Sequence, residues 1–259
     1  LLYCDISGWR VTLRAGGLMS AGFQCKQFYI GHQHCAMKVG TDALLLGAWA
    51  TLPTALQATP AMLDIGCGSG ILSLMLAQRT GGQIPITAVE LDARAAAQAA
   101  ANVALSPWPD AIRVIKGDIL TYSTAERYAL IISNPPFFQH ALPSQDATRQ
   151  QARHTDSLPF AALLKKAAQC LAPGGEFCLI LPASSQAAFA QAALEQGWQC
   201  RARCAVQSKA GKPVSRYLQS WVKADTELDT EISQLQIHDS SGGYSAAYRQ
   251  LLQAFYLNF

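Results

Sequence analysis

From about residue 61 onward, short apolar runs alternate with stretches of helical spacing. Ala61–Ile65, Ile86–Leu91, Ile112–Ile115 and Tyr128–Ser133 read as buried strands, each a few residues long and bounded by turn formers. Ile71–Arg79 and the alanine-rich Ala93–Leu105 carry helical periodicity between them. Leu158–Leu171 is helical in pattern and is expected to stop at Pro173-Gly174-Gly175. Glu176–Leu181 follows as a strand, Ser184–Gln196 as a helix closed by Gly197, and Gln199–Val206 and Arg216–Val222 as two last strands. Strands alternating with helices predict an α/β fold, a mostly parallel sheet of seven strands covered on both faces. The closing pair has no room for a helix between its strands, so it is expected to be an antiparallel hairpin.

Composition narrows the class. The chain has 259 residues, half of them hydrophobic, which allows a large core. No apolar run reaches the roughly 18 residues of a membrane span, and no secretory signal is evident, so a cytoplasmic protein is expected. The eight cysteines form no CxxC pair or compact cluster and read as reduced thiols, with no metal site. The region before Met19 has no clean period; residues 1–20 are expected to be a disordered leader or a start-site artefact. The remainder, 21–259, reads as a single domain, with an N-terminal helical or loop extension (21–58), a core (59–224) and a C-terminal extension (225–259).

Net charge is only +3, but Arg201, Arg203, Lys209, Lys212, Arg216 and Lys223 follow one another with no acid among them. Such a stretch suits a polyanionic partner or, equally, a strand pair with charged edges.

Two loops carry the candidate chemistry. Asp64-Ile65-Gly66-Cys67-Gly68-Ser69-Gly70 follows a strand and opens a helix, where glycines let backbone approach a ligand and a helix N-terminus offers free N–H groups. Its spacing differs from the dinucleotide fingerprint G-x-G-x-x-G and suits a smaller, cationic cofactor at the carboxyl ends of the strands. Glu90 and Asp118 end the next two strands; they are candidates for a ribose and an adenine amino group, or simply solvated acids. Asn134-Pro135-Pro136-Phe137 follows Tyr128–Ser133 and offers acceptors, few donors and an aromatic ring. That chemistry suits a planar amino group, while a strand-stopping turn is the alternative.

In this order and spacing, these motifs resemble those of Rossmann-like class I S-adenosylmethionine-dependent methyltransferases. The Asn-Pro-Pro-aromatic form resembles the amino-group methylating members, which act on adenine N6 or on protein glutamine. Phe28, Cys35–Asp42, Leu45–Trp49, Ser106-Pro107-Trp108, Tyr244–Tyr248 and Ala254–Leu257 are further similar to the bacterial valine-tRNA adenine-N6 methyltransferases, which modify the adenosine at position 37. The resemblance implies a cofactor site of Lys38, Thr41, Asp42, Asp64, Gly66, Gly68, Gly70, Glu90, Leu91, Asp118, Ile119 and Asn134. It implies catalysis by Asn134, Pro135, Pro136 and Phe137, and a monomer that takes tRNA(Val), with no metal and no membrane. Thr41 could equally be a helix cap, with Asp42 in the first turn. Arg149, Arg153 and His154, with Arg201, Arg203, Lys209 and Lys212, are the candidate RNA contacts. Two positions depart from the wider pattern: Thr155 stands where a glutamate is common, and Phe137 where tyrosine is. Alternatives are an N5-glutamine methyltransferase, an enzyme of another RNA or DNA, and an RNA-binding module that kept only the fold. A nicotinamide-dependent oxidoreductase is disfavoured by the glycine spacing.

Overall fold

The runs with least polarity form the centre of the sheet. In the computed structural model, which describes residues 22–35, 37–53, 60–135, 159–224 and 228–259, β3 (Met62–Ile65) and β6 (Tyr128–Ser133) are buried at every position and lie side by side. β4 (Ile86–Glu90) pairs with the other edge of β3, and β5 (Ile112–Lys116) with β4. Burial on both faces is what an unbroken apolar run demands, and parallel pairing with helical crossovers supplies it.

The crossovers are α2 (Ile71–Thr80) after β3 and α3 (Ala93–Ala104) after β4. Asp92 caps α3, its carboxylate accepting from the backbone N–H groups of Arg94 and Ala95. Beyond β6 come α4 (Phe160–Cys170), β7 (Leu171–Pro182), α5 (Ala183–Glu195), β8 (Gln199–Lys209) and β9 (Val214–Val222). Only β9 runs against its neighbours, so β8 and β9 make the expected antiparallel hairpin.

All seven expected strands are present, and an eighth, β10 (Glu231–His238), adds to the far edge in parallel with β8. The order is β10-β8-β9-β7-β6-β3-β4-β5. β10 falls in a segment expected only as an extension. Its first four residues are exposed, so it lacks the apolar run that marks the central strands.

Pro173-Gly174-Gly175 does not act as the helix stop. α4 ends at Cys170, Leu171 is already extended, and the three residues form an irregularity inside β7, where pairing with β6 skips from Leu171 to Glu176. Gly174 takes a φ of 70° to make that bulge.

Two short strands, β1 (Gly22–Gln24) and β2 (Tyr29–Gly31), form a separate antiparallel hairpin, followed by α1 (Thr41–Trp49). α6 (Ala246–Leu252) follows β10. The two extensions are bonded to each other. The Lys26 N–H donates to the Phe255 carbonyl at 2.9 Å, and the Lys26 ammonium donates to the Gln253 carbonyl at 2.6 Å. Tyr248 and Phe255, both buried, join α1 and α2 in the core of one sheet face. The other face is built from Phe177, Phe189, Trp198 and Trp221 with α4 and α5. Among the described residues no helix is long and apolar enough to cross a membrane.

Candidate active site

The chain leaves β3 outward to β4 and β5, then returns to β6 on the other side of β3. Strand order therefore reverses between β3 and β6, the point at whose carboxyl ends open α/β sheets hold their ligands. The ends are level. Ile65 pairs with both Val89 and Ser133, and Glu90 pairs with Lys116. Asp64, Glu90, Asp118 and Asn134 are thus brought to one edge by register alone.

The glycine loop is held by side chains from three elements. Below it, Asp64 is fully buried and its Oδ2 accepts from the Ser73 hydroxyl at 2.6 Å and the Ser73 N–H at 3.1 Å. Burial pushes the Asp64 carboxyl up to about 7; the Ser73 bonds oppose this and nearby Glu90 adds to it. On one side, Glu90 Oε2 accepts from the Gly68 N–H at 2.8 Å while Oε1 accepts from the Asp92 N–H at 2.8 Å. On the other, Asn102 of α3 donates to the Ser69 carbonyl at 2.8 Å and, with the same amide, to the Gly31 carbonyl at 2.8 Å. Its Oδ1 accepts from the Gly31 N–H at 3.0 Å, so one buried side chain ties the β1–β2 hairpin to the loop.

The loop's own residues supply shape. Gly68 has a φ of 55°, and a Cβ there would meet open space. Gly70 has a φ of 82° and stands against α3, where a Cβ would come within 3.4 Å of the Ala99 methyl. Gly68 faces open space; Gly70 lets two helices approach.

At the β6 end, the Ser133 hydroxyl donates to the Ile65 carbonyl at 2.9 Å, locking the residue before Asn134 to the residue before Gly66. Asn134 is half-buried and Pro135 buried. Pro136, Phe137, Arg149, Arg153 and His154 lie outside the described residues.

The remaining expected cofactor residues surround this edge. Leu91 is 64% exposed beside Glu90, and Ile119 is buried beside Asp118. Asp118 Oδ1 accepts from the Leu120 N–H at 2.9 Å. Thr41 opens α1, but the capping position is Gly40 and no side chain caps it. Asp42 accepts from Arg216 Nε at 2.8 Å. Arg216 sits on β9 opposite Pro182, the last residue of β7, so this pair fixes the start of α1 at the carboxyl edge. Lys38 is exposed next to Val39, whose N–H donates to His32 Nδ1 at 3.2 Å. Burial and then the Lys38 charge hold the buried His32 below its ordinary pKa.

Residues 36–201 match the methyltransferase small domain family. A tRNA1(Val) (adenine(37)-N6)-methyltransferase of Dickeya chrysanthemi is 44% identical over 93% of this chain and 96% of its own length. One from Cronobacter sakazakii is 45% identical over 91% and 95%. The chain belongs to the tRNA1(Val) (adenine(37)-N6)-methyltransferase family. A predicted O-methyltransferase from Agrobacterium tumefaciens shares the fold, with a TM-score of 0.63 at 20% identity over 83% of this chain and 96% of that one.

The four described candidate RNA contacts are strung along β8 and its turn. Lys209 ends β8 at the carboxyl edge and Lys212 lies in the turn beyond it; both are exposed. Arg201 lies at the opposite end of β8, pairing with Glu176 at 3.2 Å. Eight residue steps of strand take the chain from Arg201 to Lys209, about 26 Å. Arg203 lies between, with its guanidinium over the Tyr217 ring at 5.7 Å. Cys200 and Cys204 sit on the same strand, and among the described residues no group of three His, Cys, Asp or Glu could hold a metal ion.

Asn102, Ser73 and Ser133 had no part in the sequence reading. Asn102 and Ser133 act on backbone far along the chain, and Ser73 reaches back nine residues to Asp64 from beyond the glycine loop, so no motif contains both partners. The one sequence cue was an amide inside an otherwise alanine-rich helix.

Proposed function

We infer that this chain transfers a methyl group from S-adenosylmethionine to the exocyclic N6 of adenosine 37 in tRNA1(Val). The observation that carries this reading is the place of Asn134, directly after the β6 residue that bonds to the start of the glycine loop, in a chain 44% identical to such an enzyme along nearly its whole length.

The residues present suit the cofactor. Each Glu90 oxygen spends one acceptor site on a backbone N–H and keeps another for a ribose hydroxyl. Asp64 Oδ1 is buried with no hydrogen-bond partner, an acceptor and partial negative charge suited to a cationic ligand. Gly68 leaves room where a side chain would intrude. When bound, S-adenosylmethionine supplies an electrophilic methyl on a sulfonium sulfur.

The protein's task is then placement and charge stabilisation. An adenine amino nitrogen is a weak nucleophile because its lone pair is shared with the ring. The Asn134 side-chain oxygen and the Pro135 carbonyl accept its two N–H bonds, which favours a pyramidal nitrogen and stabilises the positive charge that grows on it. Its surplus proton is acidic and leaves to solvent, so no strong base is needed. Phe137 is assigned the stacking face for the turned-out base on its residue type. Leu91 and Ile119 are assigned to the adenosine of the cofactor, with Asp118; Lys38, Thr41 and Asp42 stand toward its other end.

For RNA contact we retain Lys209 and Lys212, with Arg149, Arg153 and His154 by their place after the Asn134 loop. Arg201 is assigned instead to its ion pair with Glu176. Residues 21–259 are treated as one domain, because the N- and C-terminal extensions bond to each other. The enzyme is taken to work as a monomer in the cytoplasm.

The test is methyl transfer to total tRNA from a strain lacking the enzyme, with mass analysis of the nucleotide that gains the methyl. Asn134→Ala should lower kcat by about 100-fold or more, with cofactor affinity nearly unchanged. Transfer to a glutamine side chain or to a different nucleotide would overturn the assignment.

A further inference from the structure

On the opposite bank from the β8–β9 turn, a groove of about 440 Å³ lies between α3 and the segment after β2. Gln33, His34, Arg94, Ala97, Gln98 and Ala101 line it, with no carboxylate among them. Arg94, Ala97, Gln98 and Ala101 share one face of α3, whose first turn begins just past Glu90 at the carboxyl edge.

We propose that this groove is a second contact for the sugar–phosphate backbone of the RNA, with Arg94 and His34 gripping a phosphate. The proposal rests on the reading of the chain as a tRNA methyltransferase and adds the path of the substrate across it.

Arg94 is exposed, and its NH2 lies 3.3 Å from His34 Nδ1. A guanidinium has donors only, so in this contact Nδ1 accepts. The arginine is thus held by a ring nitrogen rather than by a carboxylate and keeps donors for an anion. The Gln98 amide donates to Asn102 Oδ1 at 3.3 Å, so the phosphate donors here are those of Arg94 and His34. The nearest acid on the same helix, Asp92, spends one oxygen on the α3 cap.

Position favours RNA over a small anion. β8 and β4 are five strands apart in the sheet order, about 24 Å at ordinary strand spacing. The reversal point between β6 and β3 lies between them. Cationic groups on both banks would hold an anticodon arm astride that point and deliver one base to it, with phosphate contacts setting register and the site there reading the base.

The experiment compares wild-type protein with Arg94→Gln, Ala97→Glu and Ala100→Glu. Ala97 lines the groove, whereas Ala100 is exposed on the same helix outside it. Affinity for unmodified tRNA is measured across salt, and S-adenosylmethionine affinity by calorimetry. Arg94→Gln should weaken tRNA binding about three- to tenfold at low salt. That ratio should shrink about threefold between roughly 50 and roughly 200 mM, as expected for one lost phosphate contact. Ala97→Glu should lose more, Ala100→Glu far less, and cofactor affinity and kcat at saturating tRNA should stay unchanged. Equal losses at positions 97 and 100, an unchanged salt slope, or a weakened cofactor would each refute the groove as an RNA contact. Wild-type protein that binds no tRNA would instead refute the parent reading, and this one with it.

Discussion

Removing the Asn102 amide should loosen the cofactor loop and much of the fold that frames it. In Asn102→Ala, the Gly31 N–H, the Gly31 carbonyl and the Ser69 carbonyl all lose their side-chain partner in a buried setting. Each buried polar group left unpaired costs about 1–3 kcal/mol, so three should cost about 3–6 kcal/mol after some rescue by water. Set against a typical total of about 5–15 kcal/mol, the variant should be folded but much weakened. Urea unfolding should show a lower midpoint at an unchanged slope, and S-adenosylmethionine should bind at least several-fold more weakly. Asn102→Asp sharpens the test. It still accepts from the Gly31 N–H but turns a carboxylate on two carbonyls. The fold then favours its protonated form, which can donate, so its folded-state pKa is raised and its stability should recover as pH falls. A loss below about 1 kcal/mol in the alanine variant, with intact cofactor affinity, would show that the loop is held by other means.

Asp64 should make stability fall with rising pH. Its folded carboxyl titrates at about 7, above the ordinary 3.8, so the folded state binds the extra proton between those values and loses that advantage as pH rises through them. Asp64→Asn should flatten this part of the unfolding free energy measured from pH 5 to 8; an unchanged slope would exclude Asp64 as its source. Gly68→Ala places a methyl in ligand space and strains a left-handed backbone, costing about 1–2 kcal/mol in stability but at least tenfold in cofactor affinity by calorimetry. Arg201→Ala breaks the pair with Glu176 and should lower stability by about 1 kcal/mol or less while leaving tRNA affinity untouched; weaker tRNA binding would return Arg201 to the RNA surface.

That the candidate residues share one sheet edge was legible because each lies in a local pattern. Asp64, Glu90, Asp118 and Asn134 each follow an apolar run, and a parallel sheet puts all such positions on one edge. Chain order alone therefore gathered them. What it missed is long-range or weakly patterned. β10 carries only Ile232, Leu235 and Ile237 among Glu, Ser, Gln and His, and its exposed edge position needs no apolar run. The three-residue strands of the β1–β2 hairpin are too short to show a period. Arg216 reads as one charge in a basic stretch, yet its partner Asp42 is 174 residues away. Arg201 and Lys209 look like neighbours on paper, while an extended strand carries them to opposite ends of the sheet.

The reversal of β9 has a consequence for how such an enzyme could change its target. Because β8 and β9 meet through the short turn at residues 210–213, that crossing carries no helix and closes no part of the cofactor loop. Doubling its length would cost only about 0.6 kcal/mol of loop closure and would leave the parallel core undisturbed. Nature, or an engineer, could therefore graft a different segment between Lys209 and Val214 and re-address the same methyl-transfer chemistry to another nucleic acid.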